Sequence, residues 1–118
     1  DFAARGDATF LAVYGPHAAE VKRKLAALHG DIPRFVLHDA YGRVLGRPFL
    51  ALPEREVLAV AMLAALGQEK ELHAHVRGAL RVGVPEALVR AAFDAAEEGA
   101  GRALPRERRI VDRALAAP

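Results

Sequence analysis

The chain has 118 residues, 53% of them apolar, and its 17 Lys and Arg face 15 Asp and Glu for a formal charge of +2. It contains no Cys, Ser, Asn or Trp, and only one Thr (Thr9) and one Gln (Gln68). That inventory excludes disulfide staples, zinc–thiolate sites, thiol peroxidase chemistry and Ser or Cys acyl transfer, because the side chains those reactions need are missing.

The length predicts one domain over residues 1–118 built on a single core. Alanine and leucine dominate, and Gly or Pro recurs at intervals, which is helix composition punctuated by stops. A first helix is expected over Phe2 to Tyr14, weakened by Gly6 and stopped at Gly15-Pro16. His17 to Leu28 follows, with Gly30 as its C-terminal cap. Pro33 to Leu45 is the third, started by Asp31 and Pro33 and followed by the loop Arg47-Pro48-Phe49-Leu50. The fourth, Pro53 to Leu66, is apolar on every side from Val57 onward and asks to be wrapped by other helices or by neighbouring subunits. Glu69 to Val82 is the fifth, with Leu72, Val76, Ala79 and Leu80 as its inner stripe and Gly83 closing it. Pro85 to Glu98 and Leu104 to Ala116 complete the set. No strand is predicted, so the fold class is an all-α, compact bundle of six to seven helices.

No apolar run approaches the roughly 18 residues that span a bilayer, and no charged-then-apolar leader is visible. A soluble, cytoplasmic protein with no membrane partner is therefore expected. The chain starts at Asp1 rather than Met, so residues are expected before it. Arg106, Arg108, Arg109 and Arg113 form the one dense basic cluster, but Glu107 and Asp112 lie among them, as on a solvated helix face. Ala79, Gly83 and Val89 have the spacing of a helix-turn-helix DNA reader. Its recognition helix would present Glu86, Arg90 and Asp94 to a phosphate backbone, which is poor electrostatics. No nucleic-acid partner is expected.

With nucleophiles scarce, chemistry falls to carboxylates, histidines and arginines. His73 and His75 look like a metal pair, but on a helix they lie about 200° apart and point to opposite sides, so no metal site is expected. His73 shares a face with Lys70 and Arg77 and reads as solvated. His75 leans toward the core edge, with Glu71 one turn earlier at the spacing that lets a carboxylate orient an imidazole. A half-buried histidine bonded to a backbone carbonyl would look the same. Glu56, beside Arg55 in the first turn of the most apolar helix, reads either as an acid set against the helix dipole or as a buried carboxyl able to relay a proton.

Arg55-Glu56-Val57-Leu58-Ala59-Val60-Ala61-Met62-Leu63, then Glu71-Leu72-His73-Ala74-His75-Val76-Arg77-Gly78-Ala79-Leu80 and Gly83-Val84, resemble the carboxymuconolactone decarboxylase family. So do Ala40-Tyr41-Gly42 and Arg47-Pro48-Phe49-Leu50, which are similar to that family's Ala-Trp-Gly and Arg-Pro-Gly-Leu segments. The resemblance runs from about Asp7 to Gly101 and implies an alkylhydroperoxidase D-like fold. The peroxidases of that superfamily carry Cys-x-x-Cys four residues before a His, with a Glu nineteen residues before the same His. Anchored on His75, the Glu falls on Glu56, whereas the cysteine positions hold Gln68 and Glu71. Without a thiolate, no peroxide chemistry of that kind is available.

The resemblance to the decarboxylase branch implies a lyase acting on 4-carboxymuconolactone or a related small carboxylate, without metal or cofactor. It implies His75 as general acid or dienolate stabiliser, Glu71 orienting it, and Glu56 as a second proton relay. Arg55 or Arg47 would anchor a substrate carboxylate, each having a structural ion pair as its other reading, and Tyr41 would stand in the pocket where the family has Trp. It also implies a homotrimer or homohexamer. The chain departs from the family pattern at Asp39, where the family has His, and over Glu97 to Ala103, where its Pro is missing, departures that leave room for a substrate other than 4-carboxymuconolactone. A catalytically silent member acting as an oligomeric scaffold or ligand binder is the alternative reading.

Overall fold

Asp1 opens the first helix, α1 (Phe2–Tyr14), by accepting the Ala3 amide on its carboxylate at 2.9 Å, the usual N-cap role of a short acid. In this computed structural model, which describes residues 1–118, every regular element is helical. The chain forms two compact units, Asp1–Leu52 and Pro53–Pro118. Two separate clusters of buried apolar residues result, where length alone led us to expect one core. No helix is long and apolar enough to cross a membrane.

In the first unit Gly6, Thr9, Phe10 and Val13 form the buried stripe of α1, at the 3–4 residue spacing of one helix face. A short 3₁₀ turn at Gly15–His17 leads into α2 (Ala18–Leu28). That helix ends without the expected glycine cap: His29 is extended, and Gly30 is absent from the left-handed residues. Next comes α3 (Ile32–Phe35), which passes directly into a π-helical segment over Val36–Leu45. The expected third helix is thus present but wound differently in its second half. Gly46 shows the wider pitch, its amide reaching the Tyr41 carbonyl five residues back at 2.7 Å.

Gly6 does more than weaken α1. A Cβ there would lie 1.9 Å from the Leu37 carbonyl oxygen, and one on Gly42 would lie 2.1 Å from the Phe2 carbonyl oxygen. The two helices meet backbone to backbone, which only glycine permits. Phe10, Tyr14 and Tyr41 pack beside that crossing, with the Phe10 and Tyr41 rings edge-on at 4.8 Å.

The second unit contains α4 (Leu52–Leu66), α5 (Glu69–Arg81), α6 (Glu86–Ala100) and α7 (Pro105–Ala116). The turn between α4 and α5 is set by Gly67, left-handed at φ 69°, with the Gln68 amide bonded back to Leu63 at 3.0 Å. Val60, Leu72, Val76, Val89, Phe93 and Val111 form the centre of the core. Each of these side chains contributes roughly 1.5–3 kcal/mol by leaving water. α6 runs through Gly99 to Ala100, two residues beyond the expected stop. Glu97 ties down the residue before α7, accepting the Leu104 amide at 2.7 Å. That bond and the neighbouring Arg108 guanidinium hold its carboxyl below the usual carboxylate range. α4 is apolar all round as predicted, and its Leu58, Met62 and Leu66 remain exposed.

Replacing Gly6 by Ala is expected to lower stability by about 2 kcal/mol or more, because the added methyl has no space. Gly30→Ala, where a Cβ meets nothing within 4 Å, should stay within about 0.5 kcal/mol of the parent. Urea midpoints of the two variants measure this; equal midpoints would contradict the close crossing.

Candidate functional site

Within α4 the buried positions are Arg55, Glu56, Ala59, Val60 and Ala64. Glu56 precedes Val60 by four residues and Ala64 by eight, so the helix that buries those apolar groups buries the carboxylate with them. Glu56 has no solvent exposure at all. A carboxylate removed from water needs a partner, and α5 supplies one. His75 Nδ1 lies 2.9 Å from Glu56 Oε2. The His75 side chain keeps 12% of its surface exposed while Glu56 keeps none, so solvent reaches the pair only through the imidazole. Glu56 Oε1 is also buried and has no hydrogen-bond partner.

This arrangement sets the chemistry available. An ionised carboxylate only accepts hydrogen bonds, so beside it the imidazole carries a proton on Nδ1, and Nε2 is the ring nitrogen that Glu56 does not engage. When both ring nitrogens are protonated, the same contact is an ion pair. A proton can then leave from Nε2 while Nδ1–H stays anchored.

The structure brings together two of the residues singled out from sequence, Glu56 and His75, and places the others apart from that contact. Glu71, expected to orient His75, is exposed; the orienting carboxylate comes from α4 instead. The i,i+4 spacing on α5 was a local rule, and a contact from a neighbouring helix displaced it. Arg55 is buried, at 7% exposure, one position before Glu56. Arg47 and Tyr41 belong to the first unit. Arg47 is exposed, and Tyr41 is buried with its hydroxyl 3.2 Å from that of Tyr14. His73 is half-buried between α5 and α7 rather than fully solvated. On α6, Arg90 pairs with Glu86 and Asp112 at 2.9 and 2.7 Å, so the face that resembled a DNA reader has its one arginine neutralised by acids.

The sequence profile described as the carboxymuconolactone decarboxylase family matches residues 36–112, well over half of the chain. The chain belongs to the carboxymuconolactone decarboxylase family. A 4-carboxymuconolactone decarboxylase from Acinetobacter baylyi (strain ATCC 33305 / BD413 / ADP1) is 34% identical to it over 68 residues. That stretch is 58% of this chain and 51% of the relative, so the match spans about half the length of the bacterial protein. The family match includes both Glu56 and His75. The nineteen-residue separation of the pair was the one signal in the sequence that linked them. The chain has no cysteine, so it is a member without the thiol pair of the superfamily's peroxidases.

Removing the imidazole leaves a buried carboxylate without a partner, which costs about 3 kcal/mol or more. His75→Ala is expected to lose that much in chemical denaturation, while His29→Ala, at an exposed position, should change stability by less than about 0.5 kcal/mol. A His75→Ala midpoint equal to the parent's would contradict the pairing.

Proposed function

We propose that this protein is a cofactor-free lyase that decarboxylates a small unsaturated lactone, of the 4-carboxymuconolactone type, by proton transfer through His75 and Glu56. The observation that carries the reading is the buried Glu56–His75 contact at 2.9 Å, with the imidazole as its solvent-facing member. Family membership and the name of the Acinetobacter relative support the choice of substrate class.

The chemistry suits a chain whose only proton carriers of this kind are carboxylates and histidines. In such a lactone the departing carboxylate is conjugated through C=C to the lactone carbonyl. As the C–C bond to CO₂ breaks, its electron pair flows through the double bond onto the carbonyl oxygen and forms a dienolate. The substrate supplies its own electron sink, so the protein has to stabilise negative charge on oxygen and return one proton to carbon. His75 in its imidazolium form gives the Nε2 proton to the dienolate carbon and keeps Nδ1–H on Glu56. Glu56 stabilises the charged ring before transfer and fixes its orientation throughout. Arg55, buried in the same helical turn as Glu56, is the second-unit candidate to hold the substrate's remaining carboxylate, a task suited to a guanidinium fork.

The test is ultraviolet absorbance of the purified protein mixed with 4-carboxymuconolactone, with no metal or cofactor added. Loss of the conjugated lactone is expected, with kcat falling about a hundredfold or more in His75→Ala and unchanged in His29→Ala. Glu56→Gln should reduce kcat in the same direction. No turnover by the folded parent protein at any pH would refute this substrate, and undiminished turnover by His75→Ala would refute the site.

A further inference from the structure

α5 carries its two histidines on opposite sides, and the His73 side has no part in the reaction proposed above. There α5 and α7 flank an open cleft of about 380 Å³ lined by Glu69, Lys70, His73, Ile110 and Arg113. A volume of that order accommodates a small molecule rather than a polymer segment. Ile110 is its one buried apolar member, and the other four lining side chains are polar or charged.

The charges around this cleft do not balance. Glu69 is its only acid, and Arg106 already pairs with that carboxylate at 3.3 Å. Lys70 and Arg113 have no carboxylate within ion-pair distance. Arg77, one turn beyond His73, is held by the end of α7 and the residues after it. It donates to the carbonyls of Ala114, Ala117 and Pro118 at 3.2, 2.7 and 2.8 Å. The groups around the imidazole are therefore Glu69, Lys70 and Arg77 on α5 with Arg106 and Arg113 on α7. In the lining itself Lys70 and Arg113 stand against Glu69, whose charge Arg106 already meets. Burial, then the Arg113 and Arg77 charges, push the His73 pKa below its ordinary value. Arg113 is thus at once a cause of that lowering and a charge that would attract an anion.

We propose that the α5–α7 cleft binds a small doubly charged oxyanion, a phosphate or phosphate monoester, with Arg113 and Lys70 supplying charge and the His73 ring a hydrogen bond. Arg113 offers a planar fork suited to two phosphate oxygens, and Lys70 offers a point charge on the opposite helix. An anion seated there offsets the Arg113 and Arg77 charges that contribute to lowering the His73 pKa, so the ring reports on filling of the site. The site is independent of the Glu56–His75 reading, because its residues lie on another side of α5 and none takes part in proton transfer to the lactone.

The experiment is a titration of the parent protein with inorganic phosphate at constant pH, with ionic strength held by chloride, followed through the ring resonances of the five histidines. A saturable shift is expected at His73 and none at His75. Arg113→Gln should weaken the apparent affinity about tenfold, and Lys70→Gln should weaken it in the same direction. Both side chains are exposed, and circular dichroism of each variant confirms that it is folded. Three results would overturn the proposal: no His73 response, the same response to chloride alone, or an Arg113→Gln affinity equal to the parent's. A shift spread over all five histidines would overturn it as well, since that marks general screening rather than a site.

Discussion

Burying a carboxylate is the constraint around which the second unit is organised. Glu56 sits on the stripe of α4 that also carries Val60 and Ala64, so the packing that removes those side chains from water removes the charge too. Without compensation the penalty would be several kcal/mol, comparable to the net stability of a small domain. His75 offsets it through one contact, and that contact requires α5 to return beside α4 in a fixed register. The left-handed Gly67 and the Gln68 bond to Leu63 make the turn that sets this register. Leu72 and Val76, each fully buried, then hold the part of α5 that carries the imidazole. The second Glu56 oxygen remains buried and unpaired, a cost that the contact with His75 does not offset.

Most of the helices were legible because their stripes repeat at the helical period. Leu72, Val76 and Ala79 on α5 are buried as that period requires, and Gly-Pro punctuation located most ends. What escaped depended on contacts from elsewhere in the chain. The π-helical winding of Val36–Leu45 was not anticipated from the sequence; Gly6, read as a weak point of α1, and Gly42, read only as part of the family segment, are where two backbones touch. Length suggested one core, yet two apolar clusters formed. Phe49 adopts a left-handed φ of 93° at the position where the resembling family segment has Gly, a strain visible only once the two are aligned.

The site shows the same division. The nineteen-residue spacing and the family pattern singled out Glu56 and His75 together, but helix rules did not predict their contact. Those rules favoured Glu71, one turn from His75, because a single helix predicts pairs only between residues three or four apart. A buried stripe reaching across from α4 outweighed it, and the exposed Glu71 shows which contact prevailed. The unpaired cations around His73 were each visible in the sequence. Their convergence was not, since Arg113 is forty residues from His73 and reaches it only through the packing of α7 on α5.

The central claim is that Glu56 and His75 hold one proton between them inside the protein. The most direct test is ¹H–¹⁵N NMR of the imidazole ring nitrogens in the parent protein and in Glu56→Leu. The account predicts a strongly downfield, exchange-protected proton on His75 Nδ1 that disappears in the variant. A His75 ring that exchanges freely with solvent, and does so equally in both proteins, would contradict it.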